Sequence, residues 1–143
     1  IPCLGNYSAS KFALEALADA MRRETMNSGV KIVLVEPGGI KTQMTLNQMR
    51  AIEERIASLS PEEEALYGTL YRQFHNVVRG GYHNDYLPPE RIAELIVEAL
   101  DAGKPAARYL AEDAEQLRAL ASSKSDLELD AIFAEMFAAA GKS

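Results

Sequence analysis

The sequence predicts an α/β protein, the later part of a doubly wound parallel sheet, and three observations carry that prediction. A helix-forming run from Tyr7 to about Asn27, free of Pro and Gly, is closed by Asn27-Ser28-Gly29. A near-continuous apolar run, Val30-Lys31-Ile32-Val33-Leu34-Val35, follows at once and ends in Glu36-Pro37-Gly38-Gly39. Runs of this kind are strands of parallel sheets covered on both faces, and helix, turn, buried strand and Gly-rich loop make half of a doubly wound repeat. Finally, a single later strand candidate, Arg108-Tyr109-Leu110-Ala111, stands against at least five helices. Two strands are too few for so many helices, so the rest of the sheet is expected from residues outside this chain.

The elements follow in order. In the first helix Phe12, Ala13, Leu14, Ala16, Leu17, Ala20 and Met21 cover most of the circumference, leaving Glu15, Asp19 and Arg22-Arg23-Glu24 polar. A helix apolar nearly all round is expected to be buried on more than one side, by a sheet and by another helix or subunit. Residues 40–87 read as helical pieces. Ser60-Pro61-Glu62-Glu63 sets an N-cap serine before an N1 proline with a glutamate at the capping-box position, which predicts a helix from Pro61 to about Arg79, ended by Gly80-Gly81. Pro88-Pro89 opens another, with Ile92, Leu95, Ile96, Ala99 and Leu100 as a core stripe and Gly103 as its stop. Arg108–Ala111, preceded by Pro105, suits an edge strand. A helix from Asp113 to Ala121 follows, and Ser125-Asp126-Leu127-Glu128 caps a last one bearing Leu129, Ile132, Phe133, Met136 and Phe137.

Composition bounds the function. With 143 residues, 48% of them apolar, the chain has the length of one domain and enough apolar residues to bury a core. A net charge of -6 disfavours nucleic acid, which needs clustered Lys and Arg, and Glu53-Glu54 and Glu62-Glu63-Glu64 read as solvated helix faces. Cys3, the only cysteine, excludes an internal disulfide, fits a reducing cytoplasmic compartment and reads as a small buried hydrophobe. No apolar run reaches the ~18 residues of a membrane span, and no signal peptide is visible. The spacing of His75, His83 and Asp85 matches no usual ligand pattern, so no metal is expected.

The chemistry concentrates in Gly5-Asn6-Tyr7-Ser8-Ala9-Ser10-Lys11. Tyr7 and Lys11 lie four apart, so their phenol and ammonium share a helix face, while Ser8, Ala9 and Ser10 are small enough to keep the space around them narrow. A free phenol, with a pKa near ~10, exchanges protons poorly at neutral pH, but a cation ~4 to 6 Å away favours its anion, as does a helix N-terminus. Such a tyrosine can give a proton to a carbonyl oxygen or take one from a hydroxyl. A lone Tyr-x-x-x-Lys is more often a surface contact than a catalytic site. The buried strand and Pro-Gly-Gly loop that follow raise its standing, because ligands of open α/β sheets bind at the carboxyl ends of strands.

Tyr7-Ser8-Ala9-Ser10-Lys11-Phe12-Ala13-Leu14 followed by Val35-Glu36-Pro37-Gly38-Gly39-Ile40-Lys41-Thr42 resembles the short-chain dehydrogenase/reductase family. Lys104-Pro105-Ala106-Ala107-Arg108-Tyr109, after a Pro-Pro-Glu-led helix, is similar to the closing segment of hydroxysteroid and retinol dehydrogenases. The resemblance implies a Rossmann-like doubly wound sheet whose last two strands and surrounding helices are present here, with a substrate lid at about 43–87. It implies Tyr7 as general acid/base, Lys11 as its tuning cation and ligand of the nicotinamide ribose, and Pro37, Gly38, Ile40 and Thr42 as the cofactor loop. NAD or NADP would be the cofactor, an apolar secondary alcohol or ketone the small-molecule substrate, and a homodimer or homotetramer the assembly. The Met44, Met49, Tyr67, Tyr71, Tyr82 and Tyr86 content of the lid suits such a substrate.

The family's Gly-rich fingerprint, its Asn-Ala-Gly stretch and its catalytic serine all precede the tyrosine, and only six residues do so here. The resemblance is therefore to the C-terminal half of one Rossmann domain, and this chain alone is expected to bind no NAD(H) or NADP(H). Two alternatives stand beside the dehydrogenase: an inert oligomerisation or scaffolding module using the apolar helix 7–27, and a sugar-nucleotide epimerase with a similar tyrosine and lysine. The Pro-Gly-Gly-Ile-Lys-Thr loop favours the dehydrogenase.

Overall fold

The computed structural model describes residues 1–141. In chain order they form α1 (Gly5–Glu24), β1 (Leu34–Glu36), α2 (Gln43–Ala57), α3 (Pro61–Glu63), a π-helical turn (Glu64–Gly68), α4 (Thr69–Asn84), α5 (Pro89–Asp101), β2 (Arg108–Leu110), α6 (Glu112–Ser123) and α7 (Asp126–Ala140). β1 and β2 pair in parallel, Val35 opposite Tyr109, so α2 through α5 form the crossover between them. A second, isolated parallel bridge joins Ile40 to Leu87 just beyond β1. The α/β class and the parallel pairing match the sequence reading.

Several boundaries differ for physical reasons. The strand expected from Val30 begins only at Leu34, because a strand needs a neighbour and Arg108–Leu110 offers three residues of one. Gly80-Gly81 does not end the long helix: α4 runs on to Asn84, and its last bonds, from the Asp85 and Tyr86 N–H groups, both fall on the Gly81 carbonyl. The π-helical turn was not legible from residue spacing. It packs the Glu64 carboxylate against Gly68, where a Cβ would collide with it, while Arg72 holds the same carboxylate at 2.7 Å.

Both predicted capping boxes are present. Ser60 Oγ accepts from the Glu63 N–H and Ser125 Oγ from that of Glu128, and each glutamate returns a bond to its serine's N–H. The Ser60 N–H, and then Arg55 at 2.7 Å, pull the Glu63 carboxyl down to a pKa of about 2. Ser60→Ala and Ser125→Ala are each expected to cost about 1 kcal/mol, read as a lower denaturant midpoint at unchanged slope.

The core is small. Ile52, Phe74, Val78 and Phe137 join α2, α4 and α7, with Leu4, Met49, Ile56, Leu70 and Val77 packed around them. Ile92, Leu95 and Ala111 form a second cluster with Val35, Ile40 and Leu87 beneath β1 and β2. The accessible surface is 9713 Å², against roughly 7,300 Å² for a compact monomer of this mass. The chain therefore leaves uncovered much of what its composition would let it bury.

Helix α1 shows where. Burial on more than one side was expected, yet only Ala18 is buried, while Phe12 is 73% and Leu17 56% exposed. Much of its apolar circumference is left uncovered by the described residues. The α5 stripe is likewise core only at Ile92 and Leu95, with Leu100 77% exposed. Cys3 is exposed, with a positive φ of 66°, rather than buried.

Charge rather than apolar packing ties α1 to the sheet. Arg108 donates to Asp19 at 3.2 Å and lies 2.9 Å from Glu36, though its Nε is not aimed along a hydrogen bond there. Arg118 donates to both Glu36 oxygens at 3.0 and 2.8 Å, and Arg22 holds Asp19 at 2.7 Å. Hydrogen bonds from Arg22 and then Arg108 hold the Asp19 carboxyl below the usual carboxylate range. A carboxyl depressed in the folded state adds stability above its unfolded pKa of ~3.9 and loses it as pH falls through the folded value. Asp19→Asn should therefore flatten the acid limb of the stability-pH curve below about pH 4 and leave its neutral slope unchanged.

Candidate active site

Tyr7 stands in the first turn of α1 because the helix begins at Gly5, two residues earlier than the sequence reading placed it. The Ser8 N–H donates to the Leu4 carbonyl at 2.8 Å, and Ser10 Oγ donates to the Tyr7 carbonyl at 2.7 Å, which anchors the turn that carries the phenol. One turn on, Lys11 Nζ lies over the Tyr7 ring, 5.4 Å from its centroid. The structure thus brings the two together as a cation–π pair at the positive end of a helix. Both are exposed, Tyr7 at 48%, so the narrow space expected around them is not formed by the described residues.

Pro37, Gly38, Ile40 and Thr42 form the loop at the carboxyl end of β1, the ligand-binding end of a parallel sheet. Gly38 has φ 65°, a left-handed conformation that favours glycine. Ile40 enters the isolated bridge with Leu87: the Lys41 N–H donates to the Leu87 carbonyl at 2.9 Å, and the Leu87 N–H to the Gly39 carbonyl at 3.0 Å. Thr42 caps α2, its Oγ1 accepting from the Thr45 N–H at 3.4 Å. Buried Thr45 donates its own hydroxyl proton to the Ile40 carbonyl at 2.9 Å, so the 3.3 Å contact between the two hydroxyls has Thr42 as donor. Among the described residues no hydrogen bond joins this loop to the Tyr7–Lys11 pair.

Two residues the sequence reading did not single out hold the loop. Asp113, read only as a helix start, accepts from the Gly39 N–H at 2.7 Å, and its carboxylate fills the space where a Gly38 side chain would go. The Tyr86 ring, read as one of many lid aromatics, lies against both Gly39 and Gly81. Burial, then the charges of Asp113 and Asp85, raise the Tyr86 phenol above its ordinary value. No local sequence signal marks Asp113, because its partner is 74 residues away.

His75 pairs with Glu53 at 2.9 Å and so links α4 to α2. Among the described residues no group of three or more His, Cys, Asp or Glu side chains is placed to hold a metal. Among the described residues no helix is long and apolar enough to cross a membrane. A cavity of about 700 Å³ opens between α4 and α7, lined by Leu70, Gln73, Leu129, Phe133 and Phe137, with Ile1 and Pro2 forming a wall.

A family model described as short chain dehydrogenase matches residues 1–53, a span that contains Tyr7, Lys11 and the whole 37–42 loop. Among curated proteins, the chain is 39% identical over 109 residues to the NADPH-dependent 3-dehydrocapnine reductase of Ornithobacterium rhinotracheale, an alignment covering 76% of this chain and 36% of that protein. It is 31% identical over 112 residues to human 17-beta-hydroxysteroid dehydrogenase type 6, covering 76% and 35%. To mouse retinol dehydrogenase 5 it is 32% identical over 111 residues, covering 73% and 34%. The chain belongs to the short-chain dehydrogenase/reductase family. It spans about a third of the length of the curated relatives it matches.

Proposed function

We propose that this chain is the C-terminal half of a Rossmann-fold NAD(P)-dependent oxidoreductase that interconverts an apolar secondary alcohol and a ketone by Tyr-Lys acid/base catalysis. The observation that carries the reading is the Tyr7–Lys11 pair in the first two turns of α1, a cation set over a phenol at the positive end of a helix. The uncovered circumference of α1 supports it, since that face is apolar where a covering sheet and a second subunit of a homodimer or homotetramer would lie.

The donor set fits a nicotinamide nucleotide. Lys11 would hold the ribose hydroxyls, the Ile40 backbone the carboxamide and Thr42 the nicotinamide end or pyrophosphate, with Pro37 and Gly38 bordering the ring. The cofactor supplies or accepts the hydride when bound. In the reducing direction Tyr7 gives its proton to the carbonyl oxygen as negative charge grows there, and the Lys11 ammonium and the helix dipole steady the phenolate left behind. In the oxidising direction Tyr7 takes the hydroxyl proton while the carbinol carbon loses hydride.

The NADPH dependence of the 39% identical reductase favours NADP(H). Steroid and retinol in the relatives' names are apolar molecules, and α2 through α4 read as a lid that exposes Met44, Leu66 and Tyr67 to such a substrate. A cytoplasmic location accords with the single cysteine. The protein extended by its nucleotide-binding half should quench or enhance nicotinamide fluorescence on titration and consume NADPH with an apolar ketone, while the 143-residue chain alone does neither. Micromolar binding by the isolated chain would contradict the division of the site, and no binding by the extended protein would contradict the function.

A further inference from the structure

We infer that Asp113, with Tyr86 opposite it, is a positioning residue that sets where the 37–42 loop meets the nicotinamide; the inference rests on the proposed function. The Asp113 carboxylate is held from both sides. One oxygen accepts from the Gly39 N–H at 2.7 Å and the other from the Ala114 N–H at 2.9 Å, so it bridges the loop to the first turn of α6. On the far side the Tyr86 ring lies against Gly39, and a Cβ there would overlap it. The same ring rests on Gly81 near the end of α4, and the next residue, Leu87, is strapped to the loop by two backbone bonds.

The loop is thus gripped between a carboxylate at Gly38 and a ring at Gly39, with no room for a side chain at either position. Gly38 takes its left-handed backbone without strain, and the charge-assisted bond from the Gly39 N–H to Asp113 fixes the loop in that form. The residues proposed to meet the cofactor, Ile40 and Thr42, follow directly. Asp113 touches neither substrate nor cofactor in this account; it acts through backbone placement, and small misplacements of binding groups are costly.

The competing view is that Asp113 is merely an acidic residue favouring the α6 N-terminus, as Glu112 and Glu115 are. In the extended protein, Asp113→Ala should weaken NADPH binding, measured by nicotinamide fluorescence, by about 10-fold or more, the loss of one charge-assisted bond. The cofactor KM should rise in step while kcat falls less than about 3-fold, since the acid/base pair is untouched. Asp113→Asn, which offers one neutral acceptor where the carboxylate offers two charged ones, should recover only part of the affinity and hold the Gly39 N–H more weakly. Glu112→Ala, on the same helix turn but paired with Arg91, should leave it unchanged. Where Asp113→Ala fails to fold, amide exchange at Gly39 in Asp113→Asn decides: faster exchange confined to residues 38–40 supports the clamp. Unchanged affinity in Asp113→Ala, equal weakening by Glu112→Ala, or unchanged Gly39 exchange overturns the inference while leaving the dehydrogenase reading intact. Wild-type protein that binds no nicotinamide overturns both.

Discussion

Tyr7→Phe in the extended protein is expected to lower kcat about a thousandfold, within the ~10²- to 10⁴-fold contributed by a positioned acid or base, and to leave the Kd for NADPH within about 2-fold. The substitution removes one oxygen from a side chain that is already 48% exposed, so no core packing is lost with it. Lys11 keeps its place over a ring of the same shape, 5.4 Å from the centroid, so the cation assigned to the ribose is preserved. Rapid kinetics and a binding titration on the same preparation separate the two effects. Retained turnover would remove Tyr7 from the chemistry, and a parallel loss of cofactor affinity would make it a binding residue.

The largest expected effect on stability lies elsewhere. Phe74 is 3% exposed and stacks on Phe137 with centroids 6.4 Å apart, at the one place where α2, α4 and α7 share a core. Phe74→Ala should cost about 3 to 5 kcal/mol, the lost transfer energy plus the cavity left behind. That is a large share of any single domain's stability of ~5 to 15 kcal/mol, and the described residues include only eight buried apolar side chains. Phe12→Ala, by contrast, removes a ring that is 73% exposed in this chain and should change stability by no more than about 0.5 kcal/mol. Urea titrations of both variants check the pair. Equal destabilisation would mean that α1 is covered in solution by a surface the described residues do not provide.

What the sequence made legible was what local chemistry determines. Ser60 and Ser125 announced their helices because a capping box closes within four residues. Tyr7 and Lys11 were legible because a helix turn brings them together without help from the rest of the fold. Gly38 was marked by its place after a strand and has the positive φ that justifies it. What escaped needed a partner distant in the chain. The length of β1 was set by β2, the grip on Gly38 and Gly39 by Asp113 and Tyr86, and the anchoring of α1 by Arg108 on Asp19 and Arg118 on Glu15. The burial expected for α1 failed for the same reason: apolar periodicity states which face seeks cover, and the cover must come from another part of the molecule.

The central claim is that hydride and proton meet on one carbonyl group beside Tyr7 and Lys11. Its most direct measurement is the fate of deuterium carried at C4 of labelled NADPH when the extended protein reduces an apolar ketone. The account predicts deuterium on the carbinol carbon of the product, with solvent supplying the hydroxyl proton, and loss of this transfer in Tyr7→Phe. Consumption of NADPH without label on that carbon, or undiminished transfer in the variant, would contradict it.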